Sequence, residues 1–154
     1  MYAKVRIDMN DDSMPLCFVI MPFKKEFDPI YDEIKRIAEN EGFHCIRADE
    51  ITKGIISEDI FDNIFNSSVI IADLTEKNPN VFYELALAHL ASKNVIMISQ
   101  DRDIPFHISP GYVVLYENTI RGSQILDREL RRLLRHVLNG GTIKNPLKMF
   151  LGPE

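Results

Sequence analysis

Uncharged apolar runs alternate along the chain with stretches whose apolar residues return every three or four positions. Leu16-Cys17-Phe18-Val19-Ile20-Met21 is the first such run, and Pro22 stops it. Asp28-Pro29 opens a stretch in which Ile30, Ile34, Ile37 and Ala38 recur at helical spacing up to Gly42. Phe43-His44-Cys45-Ile46-Arg47-Ala48 predicts a second strand, with Asp49-Glu50 at its end. Ser57-Glu58-Asp59 predicts the start of a second helix, its acidic residues well placed for the helix dipole and Ile60 and Ile64 turned inward. Val69-Ile70-Ile71-Ala72 is mostly β-branched, as expected of a central parallel strand covered on both faces. Asn78-Pro79 then signals a third helix, because Asn caps free amides and proline fits the first helical position. Residues 95–99 and 112–116 predict the fourth and fifth strands. A last helix over 123–138 stops at Asn139-Gly140-Gly141. Residues 2–7 alternate as a short edge strand does, and Asn10-Asp11-Asp12-Ser13 separates them from the rest.

Strands that alternate with helices require crossover connections, and crossovers make the strands parallel. The expected fold class is therefore α/β: a flavodoxin-like, doubly wound, parallel five-stranded sheet of order 2-1-3-4-5 in a three-layer α/β/α arrangement. In such a sheet the ligand crevice lies at the carboxyl ends of the first and third strands, where the order reverses. Residues 1–14 are expected to form an N-terminal arm and residues 15–154 one domain.

Composition narrows the function. A formal net charge of -5 carries no basic footprint of a nucleic-acid binder, so no nucleic-acid partner is expected. The dense basic run from Arg128 to Arg135 includes Glu129 and reads as a solvated helix face. No apolar stretch approaches the roughly 18 residues that span a bilayer, so no membrane association is expected. The polar start lacks the apolar core of a secretion signal. Cys17 and Cys45, both in apolar strand candidates, read as reduced core thiols, and a cytoplasmic location follows. There is no GxGxxG and no phosphate-binding Gly-Lys-Ser/Thr loop, and His44, His89, His107 and His136 lack metal-ligand spacing. His89 lies roughly 140° around the helix from Glu84. No metal and no cofactor are expected.

What remains is a set of strand-end residues that this fold would bring together. They are Met21, Pro22 and Phe23 after the first strand, Asp49 and Glu50 after the second, and Asp73 after the third. Asn78, Asn80, Tyr83 and Glu84 belong to the third helix, and Ser99 and Gln100 follow the fourth strand. Asn80 and Glu84 share a helix face, four residues apart. On spacing alone, Glu84 reads first as a helix-surface glutamate and Asp73 as a cap or turn residue.

The segments Cys17-Phe18-Val19-Ile20-Met21-Pro22-Phe23, Arg47-Ala48-Asp49-Glu50-Ile51, and Ile71-Ala72-Asp73-Leu74-Thr75 with Asn78-Pro79-Asn80-Val81-Phe82-Tyr83-Glu84-Leu85 resemble the nucleoside 2-deoxyribosyltransferase-like proteins. They also resemble the bacterial TIR-like proteins of the same layout. The resemblance covers roughly residues 15–116. It implies cleavage or transfer at the N-glycosidic bond of a nucleoside, a nucleotide or NAD, with Glu84 as the nucleophile that takes the sugar. It also implies that Asp73 helps to hold the nucleoside and that the loop at Phe23 covers it. Met21, Pro22, Asp49, Asn78, Asn80, Tyr83 and Ser99 would complete the substrate site. The alternative that it implies is a TIR-like nucleotide-sensing or NAD-cleaving module that signals or assembles on ligand binding. Related enzymes complete their sites from a neighbouring subunit, so a homo-oligomer is expected. Ala86 stands where the transferases commonly have glycine.

The chemistry suits a carboxylate. Breaking an N-glycosidic bond develops positive charge on the sugar and negative charge on the departing base. A carboxylate below the anomeric carbon stabilises the first or bonds to it, which divides one difficult step into two.

Overall fold

The computed structural model describes residues 14–48, 56–109 and 111–148. The alternating stretch 2–7 and the expected site residue Asp49 lie outside the described residues. Among the described residues there are five strands: β1 (Leu16–Ile20), β2 (His44–Arg47), β3 (Val69–Asp73), β4 (Val95–Ser99) and β5 (Val113–Leu115). Four helices join or follow them: α1 (Asp28–Asn40), α2 (Ile56–Asn66), α3 (Pro79–Leu90) and α4 (Ile120–Leu138). All pairings are parallel and the order is β2-β1-β3-β4-β5, as the alternation of patterns predicts.

Period-two alternation divides the strand side chains between two faces. Cys17, Val19, Val69, Ile71, Ile96, Ile98 and Val114 pack with Ile34 and Ile37 of α1 and Leu126, Leu130 and Leu134 of α4. Phe18, Ile20, Ile70, Ala72, Val95 and Met97 pack with Ile64 of α2 and Val81, Leu85 and Ala88 of α3. β3 is buried along its whole length. Shortening Ile71 to Ala is therefore expected to cost about 2–5 kcal/mol of stability, read as a lower denaturant midpoint. Cys17 and Cys45 face each other in the β1–β2 register, buried and without a disulfide. A hydrogen bond between them, reinforced by burial, pushes the Cys17 thiol well above its ordinary range.

α4 begins three residues before the expected position. Thr119 caps it, accepting from the Gly122 amide at 3.0 Å. Gly122, in its first turn, is needed for close approach. A Cβ there would lie 1.9 Å from the carbonyl oxygen of Glu117. At the other end Gly140 has a φ of +83°, the left-handed conformation that ends the helix.

Candidate active site

The register places the ends of β1, β3, β4 and β5 side by side. Ile20 pairs with Ala72, Asp73 with Ile98, and Ser99 with Leu115. Met21, Asp73, Ser99 and Tyr116 are thereby brought to one edge, the carboxyl edge of the sheet, and all four are buried. The strand order reverses between β1 and β3, so Asp73 stands beside the switch point.

Asp73 is fully buried and its two oxygens are occupied. Oδ1 accepts from the Thr75 amide at 3.0 Å and from the Thr75 hydroxyl at 2.5 Å. Oδ2 accepts from the Tyr116 hydroxyl. Gln100 closes the network, its amide donating to Thr75 Oγ1 at 3.0 Å and its side chain to the Tyr116 hydroxyl at 3.2 Å. Burial pushes the Asp73 carboxyl above its ordinary value, against the opposing pull of these hydrogen bonds. Burial, followed by the charge on Asp73, pushes the Tyr116 phenol up, so it remains a donor. Tyr116, Thr75 and Gln100 thus belong to the site as fully as Asp73 does. Of the three, the sequence placed only Gln100 among the converging strand-end residues, although an aromatic closing the aliphatic fifth strand was a usable signal for Tyr116.

Asn78 caps α3, its Oδ1 accepting from the amides of Asn80 at 3.0 Å and Val81 at 3.3 Å. This matches the start predicted from Asn78-Pro79. Glu84 sits one turn further in, at the margin of the face that Val81, Leu85 and Ala88 turn to the sheet. It is half-buried, and among the described residues it has neither a hydrogen bond nor an ion pair. Burial alone pushes its carboxyl up to about 7. His89, on the same helix, is buried with its Nε2 unpartnered among the described residues, and burial lowers it to about 4. It is a neutral core histidine.

The other expected site residues divide into two groups. Pro22 is buried beside Met21, and Ser99 Oγ accepts from the Asp101 amide at 3.0 Å. Phe23, Asn80 and Tyr83 are exposed. The loops at this edge are tied together by ion pairs, Lys24 with Glu76 at 2.5 Å and Lys77 with Asp103 at 2.6 Å. Glu76 and Lys77, between β3 and α3, both adopt positive φ, 67° and 51°. Consecutive non-glycine residues in this conformation are strained, and strain of this kind gathers at functional loops. A small cleft of about 70 Å³ lies beside Tyr116, lined also by Ile30, Asn118 and Leu126. A larger groove, about 960 Å³, is elsewhere, along α4. Among the described residues no group of acidic, histidine or cysteine side chains is arranged to hold a metal, and no helix is long and apolar enough to cross a membrane.

Fold and edge geometry together define a doubly wound α/β protein with an acidic candidate site at its switch point. Among solved structures, the chain is similar to the 2-deoxyribosyltransferase of the psychrotolerant bacterium Bacillus psychrosaccharolyticus. The TM-score is 0.59 at 11% identity, over 75% of this chain and 89% of that one. At this identity the likeness speaks for the fold. No protein-family model matches the chain, and no curated protein matches it in sequence.

Proposed function

We propose that the protein cleaves or transfers the N-glycosidic bond of a nucleoside or nucleotide, with Glu84 as the nucleophile. The observation that carries this reading is an acidic side chain half-buried without a partner among the described residues, on the helix that follows the switch-point strand. A surface glutamate stays hydrated or pairs with a cation. A glutamate held near 7 by burial alone is raised in energy as an anion and relieved when a cationic sugar arrives. In the reaction a Glu84 oxygen bonds to the anomeric carbon as the carbon–nitrogen bond breaks, and the base departs with the electron pair and takes up a proton. Water then releases the sugar, or a second base accepts it and regenerates the carboxylate. Asp73 acts through the Thr75–Tyr116–Gln100 network that it holds at the strand ends and so shapes the nucleoside site, for which Met21, Pro22, Phe23, Asn78, Asn80, Tyr83, Ser99 and, outside the described residues, Asp49 are the candidate contacts. The fold shared with a 2-deoxyribosyltransferase supports nucleosides as the first substrates to try. The test is incubation with ribo- and deoxyribonucleosides, their 5′-phosphates and NAD, followed by chromatography for free base. Release of base from at least one of them is expected, and no release from any would remove the proposal.

The nucleophile must be ionised, so the rate is expected to rise with pH through about 7 and level off above it. Stability should move the opposite way. A carboxyl raised in the folded state holds its proton more tightly there than in the unfolded chain. Its contribution is full below the ordinary value of 4.5 and is lost as pH rises to about 7. Glu84→Gln should therefore gain on the parent protein across that window, by about 1–2 kcal/mol once solvent access to the group is allowed for. His89 titrates in an overlapping range, and comparing variant with parent cancels it. Thermal midpoints of both proteins between pH 4.5 and 8 measure the difference, and a constant difference would contradict the assigned environment.

We infer also that two copies pair through the outer side of α3. That side carries Tyr83 and Leu90, each 63% exposed, with Ala86 between them and no charge. Large apolar side chains exposed along one side of a helix mark an interaction surface. Sedimentation should give more than the 17.8 kDa of one chain, and Leu90→Arg should restore that mass. A parent protein that sediments as a single chain would exclude the pairing.

A further inference from the structure

The basic run on α4 gains a shape in three dimensions that the linear sequence does not convey. Arg128, Arg131, Arg132 and Arg135 repeat at three- and four-residue spacing, so they share one side of the helix. With Lys144 they line a groove of about 960 Å³ in which Asp127 is the one carboxylate. The groove lies at the amino edge of the sheet, since Tyr112, which also lines it, immediately precedes β5. It is thus at the opposite end of the strands from Asp73.

All four arginines are paired with carboxylates: Arg128 and Arg132 with Glu129, at 3.3 and 2.9 Å, and the other two from behind. Arg131 donates to Asp127 at 2.7 Å and to Glu41 at 2.8 Å, and Arg135 donates to Glu41 at 2.7 and 3.0 Å. These carboxylates fix the guanidinium groups without using all their donors. Nη1 of Arg135, Nη1 of Arg132, both terminal nitrogens of Arg128 and the Lys144 ammonium have no protein acceptor among the described residues. Arg132 also lies 5.9 Å from the centre of the Tyr112 ring. A solvated helix face scatters its cations. Here they converge on a concave space, several already ordered, in a protein whose net charge is -5.

We propose that this groove is a second binding site, specific for linked phosphate groups. Phosphate oxygens accept from forked guanidinium donors in pairs, which a single carboxylate does less fully. From Arg128 to Arg135 the helix rises about 10 Å, the reach of two or three linked phosphates and short of an extended polymer. The exposed Tyr112 ring is available to stack a base if the phosphates belong to a nucleotide.

The experiment is calorimetric titration of the full chain with pyrophosphate, tripolyphosphate and a nucleoside triphosphate at two salt concentrations. One tripolyphosphate is expected per chain, with an affinity that falls as salt rises and exceeds that of pyrophosphate. Tighter binding of the nucleoside triphosphate identifies a nucleotide as the ligand, and equal binding identifies the phosphate chain alone. The double variant Arg128→Ser, Lys144→Ser removes only exposed side chains and should weaken tripolyphosphate binding at least tenfold. The pair Lys25→Ser, Arg102→Ser, beyond the strand ends at the opposite edge, should leave it within twofold. In the unmutated protein, tripolyphosphate should shift backbone amide resonances of residues 128–144 and not those of residues 73–84. Absence of binding at low salt, equal loss in both double variants, or affinity that keeps rising with the length of a single-stranded oligonucleotide would each overturn the proposal.

Discussion

Glu84→Gln is expected to lower base release by about 1,000-fold or more while leaving the protein folded. Glutamine keeps the size and the helical preference of glutamate but cannot bond to the anomeric carbon as an anion. The site needs no repacking, because Glu84 gives up no hydrogen bond or ion pair among the described residues. Loss of activity with a thermal midpoint equal to or above the parent's separates a chemical role from a structural one. Glu84→Asp is informative beside it. The carboxylate is retained but withdrawn by one methylene, so a partial rate is expected, with an ionisation still visible in the pH profile.

The second large effect falls on stability. Asp73→Ala removes the acceptor for Thr75 and Tyr116 at once, in a place water does not reach. Leaving these buried donors unpaired is expected to cost about 3–5 kcal/mol, measured by denaturant unfolding. Asp73→Asn keeps an acceptor for Thr75 and should cost less than half as much. Tyr116→Phe leaves a buried carboxylate oxygen without its donor and should fall between the two. If Asp73→Ala and Asp73→Asn unfold at the same denaturant concentration, the network contributes little. A further consequence concerns function: Asp73→Asn should raise KM for a nucleoside more than it lowers kcat, because the network that Asp73 holds shapes the substrate site while Glu84 does the chemistry.

The sheet was legible in the sequence because buried parallel strands are written as uninterrupted apolar runs. Val69-Ile70-Ile71-Ala72 and its neighbours needed no tertiary information to be placed. Capping was legible too: Asn78 and Pro79 start α3 where their chemistry predicts. The start of α4 was not, because Gly122 is explained only by its closeness to the Glu117 backbone, a contact between the helix and the segment leading into it. The distant partner of Asp73 was hidden for a similar reason. Tyr116 is 43 residues away, and the two meet only because β3, β4 and β5 end together. Glu84 carried a position but no environment, and its raised carboxyl follows from packing that no local pattern records. Likewise, the arginines of α4 announced charge. The groove depends on Tyr112 and Lys144, which reach it from separate segments.

The central claim is a bond between Glu84 and a sugar. It is tested most directly by mixing the protein with whichever nucleoside or nucleotide releases base, quenching at once in acid, and mapping the digest by mass spectrometry. The peptide that contains Glu84 is expected to carry the mass of one glycosyl group on that residue, and the same peptide from Glu84→Gln to carry none. A sugar found on any other residue, or base released at full rate by the glutamine variant, would contradict the account.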